Sequence, residues 1–329
     1  MKDVNKKEAF IDDKKERQIK IIRGFSTIVD YVVMFIFLLL MIFGCYSIWD
    51  NNQVVGEAGA THYEAYKPTS EDTTSFEELQ EINDEVIAWL NVYGTQVDYP
   101  VTQAKDNSKY LNINAKGDFS LAGSLYLDYN NNPDFSDFNS IIYGHHVEKN
   151  AMFGNLDKFQ DKKVFDTYKY GNLFVRGKDY GIEFFAYVEA DAYDLRLYNP
   201  DIKDKKQQEE YLSYLLSIST YSRDIKVSTS DRILLLSTCA SDATNGRYIL
   251  VGRLGDEIFK DSFSDNKISE MNNDSSFSNS SLFGISIFVI LILLLLLLLL
   301  LYLWLRRKRR NDQEEAERIE DAEGNKKMD

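Results

Sequence analysis

Cys239, His62, His145 and His146 are the one cysteine and the three histidines that lie between the two long apolar runs of this 329-residue chain. A lone cysteine there has no disulfide partner, so it is either a buried small residue or a reactive thiol. It closes an apolar stretch at 233–236, after Ser237-Thr238 and before Ala240-Ser241-Asp242. A strand that ends in small polar residues brings its last side chains to a sheet rim, where solvent arrives. A thiol that attacks an amide needs a base or imidazolium to supply thiolate, and a donor for the oxyanion. His145 and His146 end a second apolar strand, in Tyr143-Gly144-His145-His146. Neighbours on a strand face opposite ways, so only one of the two points at a given site, which disfavours a chelating metal pair. His62 falls in a polar stretch and reads as solvated. Arg247 and Arg253, in the strand after the cysteine, are the cationic candidates. Together these residues form a Cys–His–Arg constellation for acyl chemistry.

The elements that must position them are mostly short strands. Ser75 and Glu78 form a capping box ahead of Leu79, Ile82 and Val86, which places a helix start there. A hairpin follows, with strands at 86–92 and 97–101 around Tyr93-Gly94-Thr95-Gln96. Further strand patterns cover 124–127, 140–143, 173–176, 182–189, 233–238 and 248–254. Two helical stretches interrupt them. One covers about 152–159; the other covers about 205–218, with Tyr211, Leu212, Leu215 and Leu216 on one face. Many short strands with few helices give a mainly β barrel or sandwich. No internal repeat is visible.

Charge and hydropathy divide the chain by compartment. It carries 38 Lys and Arg against 52 Asp and Glu, a net charge of −14. That excludes a general nucleic-acid binder, which needs basic surface to replace phosphate counterions. The run 31–48 is free of charge and, extended to 25, is long enough to cross a bilayer. The run 282–305 holds nine consecutive leucines, with Tyr302 and Trp304 at its end. Residues 1–23 and 306–329 each hold eight basic residues, so both flanks read as cytoplasmic. The remainder keeps a net −17 and reads as external.

The expected organisation is therefore a cytoplasmic N-terminus at 1–24, a transmembrane helix at 25–48 and a linker at 49–74. A catalytic domain at 75–255 follows, then a Ser/Asn-rich linker at 256–281, a transmembrane helix at 282–305 and a cytoplasmic tail at 306–329. Other readings of the runs are weaker. Ala58-Gly59-Ala60 resembles a signal cleavage site but lies well past the first run. Phe43 is too bulky for a lipoprotein site at Gly44-Cys45. The last proline is Pro200, so no LPxTG-like pentapeptide precedes the second run.

The segments Ile141-Ile142-Tyr143-Gly144-His145-His146 and Leu235-Leu236-Ser237-Thr238-Cys239, followed by Gly246-Arg247-Tyr248-Ile249-Leu250-Val251-Gly252-Arg253-Leu254, resemble a class B sortase. Supporting text runs in the family's order: NDEVIAWL at 83–90, VDYPV at 97–101, Asn107 with Tyr110-Leu111, GSLYLD at 123–128 and MFGNL at 152–156. The resemblance covers about 75–255.

It implies an extracytoplasmic cysteine transpeptidase of Gram-positive bacteria on a closed β-barrel with added helices. Cys239 would be the nucleophile, His145 the acid and base, and Arg247 the residue that holds substrate and oxyanion. Thr238 and Ser237 would aid the oxyanion or substrate. No metal or cofactor is required. Partners would be the membrane, sorting-signal-bearing surface proteins or pilins, and an amine acceptor from peptidoglycan precursor or from a pilin. Wall anchoring of surface proteins is the first reading, pilin polymerisation the second, and a hydrolytic cysteine peptidase a third. A non-catalytic binding module is the remaining class.

Two features depart from the family's pattern. Leu235 replaces the first Thr of TLxTC. The second apolar run is more typical of pilin-polymerising class C sortases, yet 49–74 holds no Asp-Pro-aromatic lid motif.

Overall fold

A computed structural model describes residues 2–69, 72–147, 150–239 and 245–263, with scattered helical positions between 302 and 313. The chain divides into two units, Met1–Ser262 and Phe263–Asp329. The first holds the helix α1 (Lys2–Glu57) and the β domain. Within α1, Arg17–Asp50 is a candidate membrane span with mean hydropathy 2.6 and none of its most apolar stretch buried. The second apolar run, 282–305, lies almost wholly outside the described residues.

The β domain is built from β1 (Val86–Val92), β2 (Asp98–Thr102), β3 (Leu125–Leu127), β4 (Asn139–Tyr143), β5 (Tyr170–Val175), β6 (Lys178–Asp191), β7 (Ser219–Ser222), β8 (Arg232–Cys239) and β9 (Gly246–Gly255). The sheet runs β5-β1-β2-β3-β4-β8-β9-β6, and β6 pairs back onto β5. Eight strands thus close into a barrel, and β7 is added on the stretch of β6 that lies beyond its pairing with β5. β6 serves three neighbours because it is 14 residues long: β5 takes one edge at 178–183, β7 the same edge at 186–188, and β9 the other edge at 181–191, with register shifts at 184/186 and 187/188. The expected hairpin is present, with Asn91 opposite Asp98 and Gly94 at φ 80° in its turn.

Period-two alternation sorts side chains to the two faces of the barrel wall. Leu234, Leu236, Tyr248 and Leu250 join the interior cluster. Ile233, Leu235, Ile249 and Val251 join an outer cluster under α4 (Lys205–Ile218). α4 seats Tyr211, Leu212 and Leu215 there; each large apolar side chain buried contributes about 1.5–3 kcal/mol. Leu216, expected on the same face, is 45% exposed, because the covered stripe is narrower than the apolar pattern.

Three other expectations shift. α2 (Thr74–Ile82) starts one residue before Ser75, and Ser75 Oγ bonds the Lys67 carbonyl, so the Ser75–Glu78 capping box does not form. Thr73 Oγ1 instead donates to Glu77, and Asp72 Oδ1 accepts from the Thr74 N–H. The helix expected at 152–159 is a 3-10 segment, Gly154–Gln160, followed by the short α3 (Lys162–Thr167). The stretch 49–74 is not a plain tether. α1 continues to Glu57, and Ala58 and Tyr63 are buried in the interior cluster. Lys67 pairs with Asp98 at 2.6 Å, and Lys116 lies over the Tyr66 ring at 5.0 Å.

Candidate active site

Three strands meet at one rim of the barrel. β4 runs parallel to β8 with Tyr143 beside Ser237, and the Gly144 N–H extends that ladder to the Ser237 carbonyl at 3.1 Å. His145 is two residues beyond Tyr143, and Cys239 is two residues beyond Ser237. The ladder therefore carries both to the same level of the rim. On the other side of β8, Cys239 is the direct antiparallel partner of Arg247. Directly opposed residues in such a pair have Cα atoms about 4.5–5.5 Å apart. His145, Cys239 and Arg247 thus fall on three adjacent strand ends. His145 comes from a segment 94 residues before Cys239, whereas Arg247 follows Cys239 by eight.

Gly144 is the pivot of the histidine segment. A methyl group at this position would overlap Leu125 and the buried ring of Phe153. The lack of a side chain lets the segment pass close to β3 and deliver the two histidines in different directions. The ring of His145 meets the Leu111 carbonyl oxygen at 2.8 Å through Nε2. The ring of His146 meets Asp157 Oδ2 at 3.3 Å. The two rings do not converge, as their adjacency in sequence requires. His62 is exposed on a 3-10 turn, Ala60–His62.

Arg247 is partly exposed, and its Nη1 donates to the Gly246 carbonyl at 2.8 Å. The second cationic candidate, Arg253, is excluded by register. It sits opposite Ile233, six residues down β8 from Cys239 and so about 20 Å along the strand. Its guanidinium is taken by Glu183 at 2.5 Å and the Ile225 carbonyl at 3.2 Å.

The two residues before the cysteine face opposite ways. Ser237 is buried on the outer face, where its hydroxyl meets Tyr198 Oη at 2.9 Å. Thr238 is 2% exposed, and its register partner Tyr248 belongs to the interior cluster. Its Oγ1 meets no hydrogen-bond partner among the described residues. An aromatic wall continues from Ser237. Tyr198 stacks on Tyr143, whose ring lies 5.4 Å from that of Tyr126. Tyr143 Oη donates to Asp128 Oδ2 at 3.1 Å, and Asn107 Nδ2 donates to the same oxygen at 2.8 Å. Burial, and then the Asp128 carboxylate beside it, push the Tyr143 phenol well above its ordinary pKa and keep it a donor.

Leu111, Tyr198, Asp128 and Asp157 carry no chemical signal of their own in the sequence. Tyr110-Leu111 and Asp128 are visible there only inside segments that resemble the family's text.

The sortase domain family matches residues 90–255. The chain belongs to the class B sortase family. It is 37% identical over 184 residues to Sortase B of Listeria monocytogenes serovar 1/2a, covering 54% of this chain and 72% of the relative. Among solved structures, sortase B from the type II pilus of Streptococcus pneumoniae is 48% identical, with 55% of this chain and 99% of that chain covered and a TM-score of 0.50. A Streptococcus pyogenes class B sortase involved in pilus biogenesis is 38% identical, with 54% and 97% covered and a TM-score of 0.51. Sortases are extracytoplasmic cysteine transpeptidases that act on sorting-signal-bearing proteins or pilins. The closed eight-stranded barrel with added helices is the sortase fold.

Proposed function

We propose that Cys239, His145 and Arg247 carry the transpeptidation, with a pilin amine as acceptor. The strand register supports the assignment of roles: His145 just past β4, Cys239 at the end of β8 and Arg247 at the start of β9 have their main chains at one rim. The Cys239 thiolate attacks the carbonyl carbon of the scissile peptide bond, and Arg247 stabilises the oxyanion that forms. As the C–N bond breaks, His145 gives a proton to the leaving amine, and a thioester remains on Cys239. An incoming amine attacks the thioester and passes its proton to His145. The C–S bond breaks, a new amide forms and the thiolate returns. Thr238 acts through its main chain, since its side chain is enclosed in the barrel, while the buried Ser237 acts by holding Tyr198 on the outer face.

The acceptor reading departs from wall anchoring because of the relatives. The two structures named above come from pilus systems, and the first of them is 48% identical over nearly its whole length. The second apolar run supports the same reading, because anchors at both ends of the barrel suit repeated reaction on a membrane-held polymer. The proposed placement is two-pass, with spans at 25–48 and 282–305, both termini cytoplasmic and the barrel outside. The basic flanks support it.

Deleting the gene and blotting cell-wall extracts tests the acceptor. Loss of a high-mass ladder is the expected result; loss of one wall-bound protein with no ladder in the parent strain overturns it.

A further inference from the structure

We infer that Tyr99 is a positioning residue for His145, tying the segment that follows the apolar helix α1 to the loop that bears the histidine. The inference rests on the assignment of His145 made above. Tyr99 lies on β2, far from the thiol in sequence, and is 2% exposed. Its hydroxyl has two main-chain partners on opposite sides. It donates to the Ala58 carbonyl at 2.9 Å, and it accepts from the Met152 N–H at 3.0 Å.

Each partner belongs to something larger. Ala58 is the first residue after α1 and is fully buried. Met152 is the bridge partner of His146, and the next N–H, that of Phe153, bonds the His145 carbonyl at 3.0 Å. Asn150 and Met152 have positive φ (65° and 50°), a backbone state that L side chains rarely adopt. Residues in such a state persist where the surrounding structure holds them. Tyr99 holds Met152 at the point where it meets the histidine strand. Burial raises the Tyr99 phenol to about 12, so it stays protonated and keeps both bonds at any physiological pH.

The membrane-side anchor of this chain of contacts is itself fixed. Tyr63 is 3% exposed, its ring packs in the interior cluster, and Lys116 lies over that ring at 5.9 Å. Residues 58–63 therefore form part of the scaffold of the site rather than a spacer, and whatever displaces α1 is felt at His145.

The test uses the full-length chain in detergent and a fluorogenic sorting-signal peptide, the one in a panel that the wild type cleaves fastest. Alkylation of Cys239, counted by mass spectrometry, gives the number of competent sites. Tyr99→Phe should lower kcat per titrated site about fivefold or more while KM stays within twofold. Tyr63→Leu leaves Tyr99 intact but removes the ring that packs in the interior cluster and meets Lys116, which loosens the segment, and should shift kcat the same way by less. It also keeps the test alive if Tyr99→Phe does not fold. A purely structural Tyr99 would lower the count of sites and leave kcat per site unchanged, and that outcome in both variants overturns the inference. His145→Gln is run alongside. If it retains wild-type turnover, the assignment of His145 itself fails; if it is inactive while kcat per site is unchanged in the tyrosine variants, only the role of Tyr99 fails.

Discussion

His145 Nε2 lies 2.8 Å from the main-chain carbonyl oxygen of Leu111. A carbonyl can only accept, so the proton of the neutral ring sits on Nε2 and the free lone pair is on Nδ1. In the role proposed for His145, the nitrogen that would exchange protons with thiol and amine is Nδ1, and Leu111 holds the ring in that tautomer. Replacing His145 by Gln, whose side-chain nitrogen reaches as far as the imidazole Nε2, keeps a donor for Leu111 but removes the basic nitrogen. Turnover should fall about 10²–10⁴-fold, the usual worth of a positioned acid–base group, with the barrel intact by circular dichroism. A loss below tenfold would mean that His145 does not move the proton.

Arg247 is expected to act on the oxyanion from its place opposite Cys239. Arg247→Ala should cost about 10²–10³-fold in kcat/KM. Arg247→Lys should recover only part of this, because an ammonium keeps the charge and loses the planar fork. Full recovery by Lys would show that charge alone is needed; no loss in the Ala variant would remove Arg247 from the mechanism. Arg253→Ala, by contrast, breaks the pair with Glu183 and should lower thermal stability with little effect on turnover per folded molecule.

Gly144→Ala forces a methyl group against Leu125 and Phe153. Both are buried, so the overlap is relieved only by moving the histidine segment or the core. Overpacking of this kind costs about 1–3 kcal/mol. Chemical denaturation should show that loss, with a drop in activity beyond the loss of folded protein. A variant as stable and active as the wild type would show that the segment has slack.

Glu85 gives a pH signature on the segment that carries Leu111. Burial raises its pKa, but hydrogen bonds from Lys109 at 2.5 Å and Tyr110 at 2.7 Å more than offset this and hold the carboxyl below the ordinary carboxylate range. A lowered folded pKa means that the contribution is complete above the unfolded value of about 4.3 and disappears as pH falls through the folded one. The group is partly exposed, so the effect is about a few tenths of a kcal/mol. The melting temperature of Glu85→Gln should trail the wild type at pH 7 and meet it near pH 3. A gap that stays constant across that range would contradict the assignment.

Cys239 and His145 stood out as candidates because cysteine and histidine are scarce between the apolar runs and each of these two follows an apolar strand. The strands of the barrel wall were visible because β8 and β9 are dense in Ile, Leu and Val. What was not legible depends on tertiary contact. β7, Ser-Thr-Tyr-Ser, is polar and half exposed, and it becomes a strand only because β6 offers an edge. The packing of Ala58 and Tyr63 is invisible in a polar stretch where two anchors suffice. Thr238 and Ser237 are neighbours of one chemical type, and only the register shows that the first faces the barrel interior and the second the outer wall. The resemblance to the sortase family carried the choice of His145 over His146 and of Arg247 over Arg253, which composition and spacing left open.

The most direct test of the central claim is intact-mass analysis of the full-length protein mixed with sorting-signal peptides, with and without an amine acceptor. The wild type should gain the mass of the acyl fragment on Cys239, and adding a lysine-bearing pilin peptide should discharge it as a new amide. Cys239→Ala should show neither. An acyl adduct that persists in Cys239→Ala, or a wild-type adduct that yields only free acid however much amine is added, would contradict transpeptidation through this thiol.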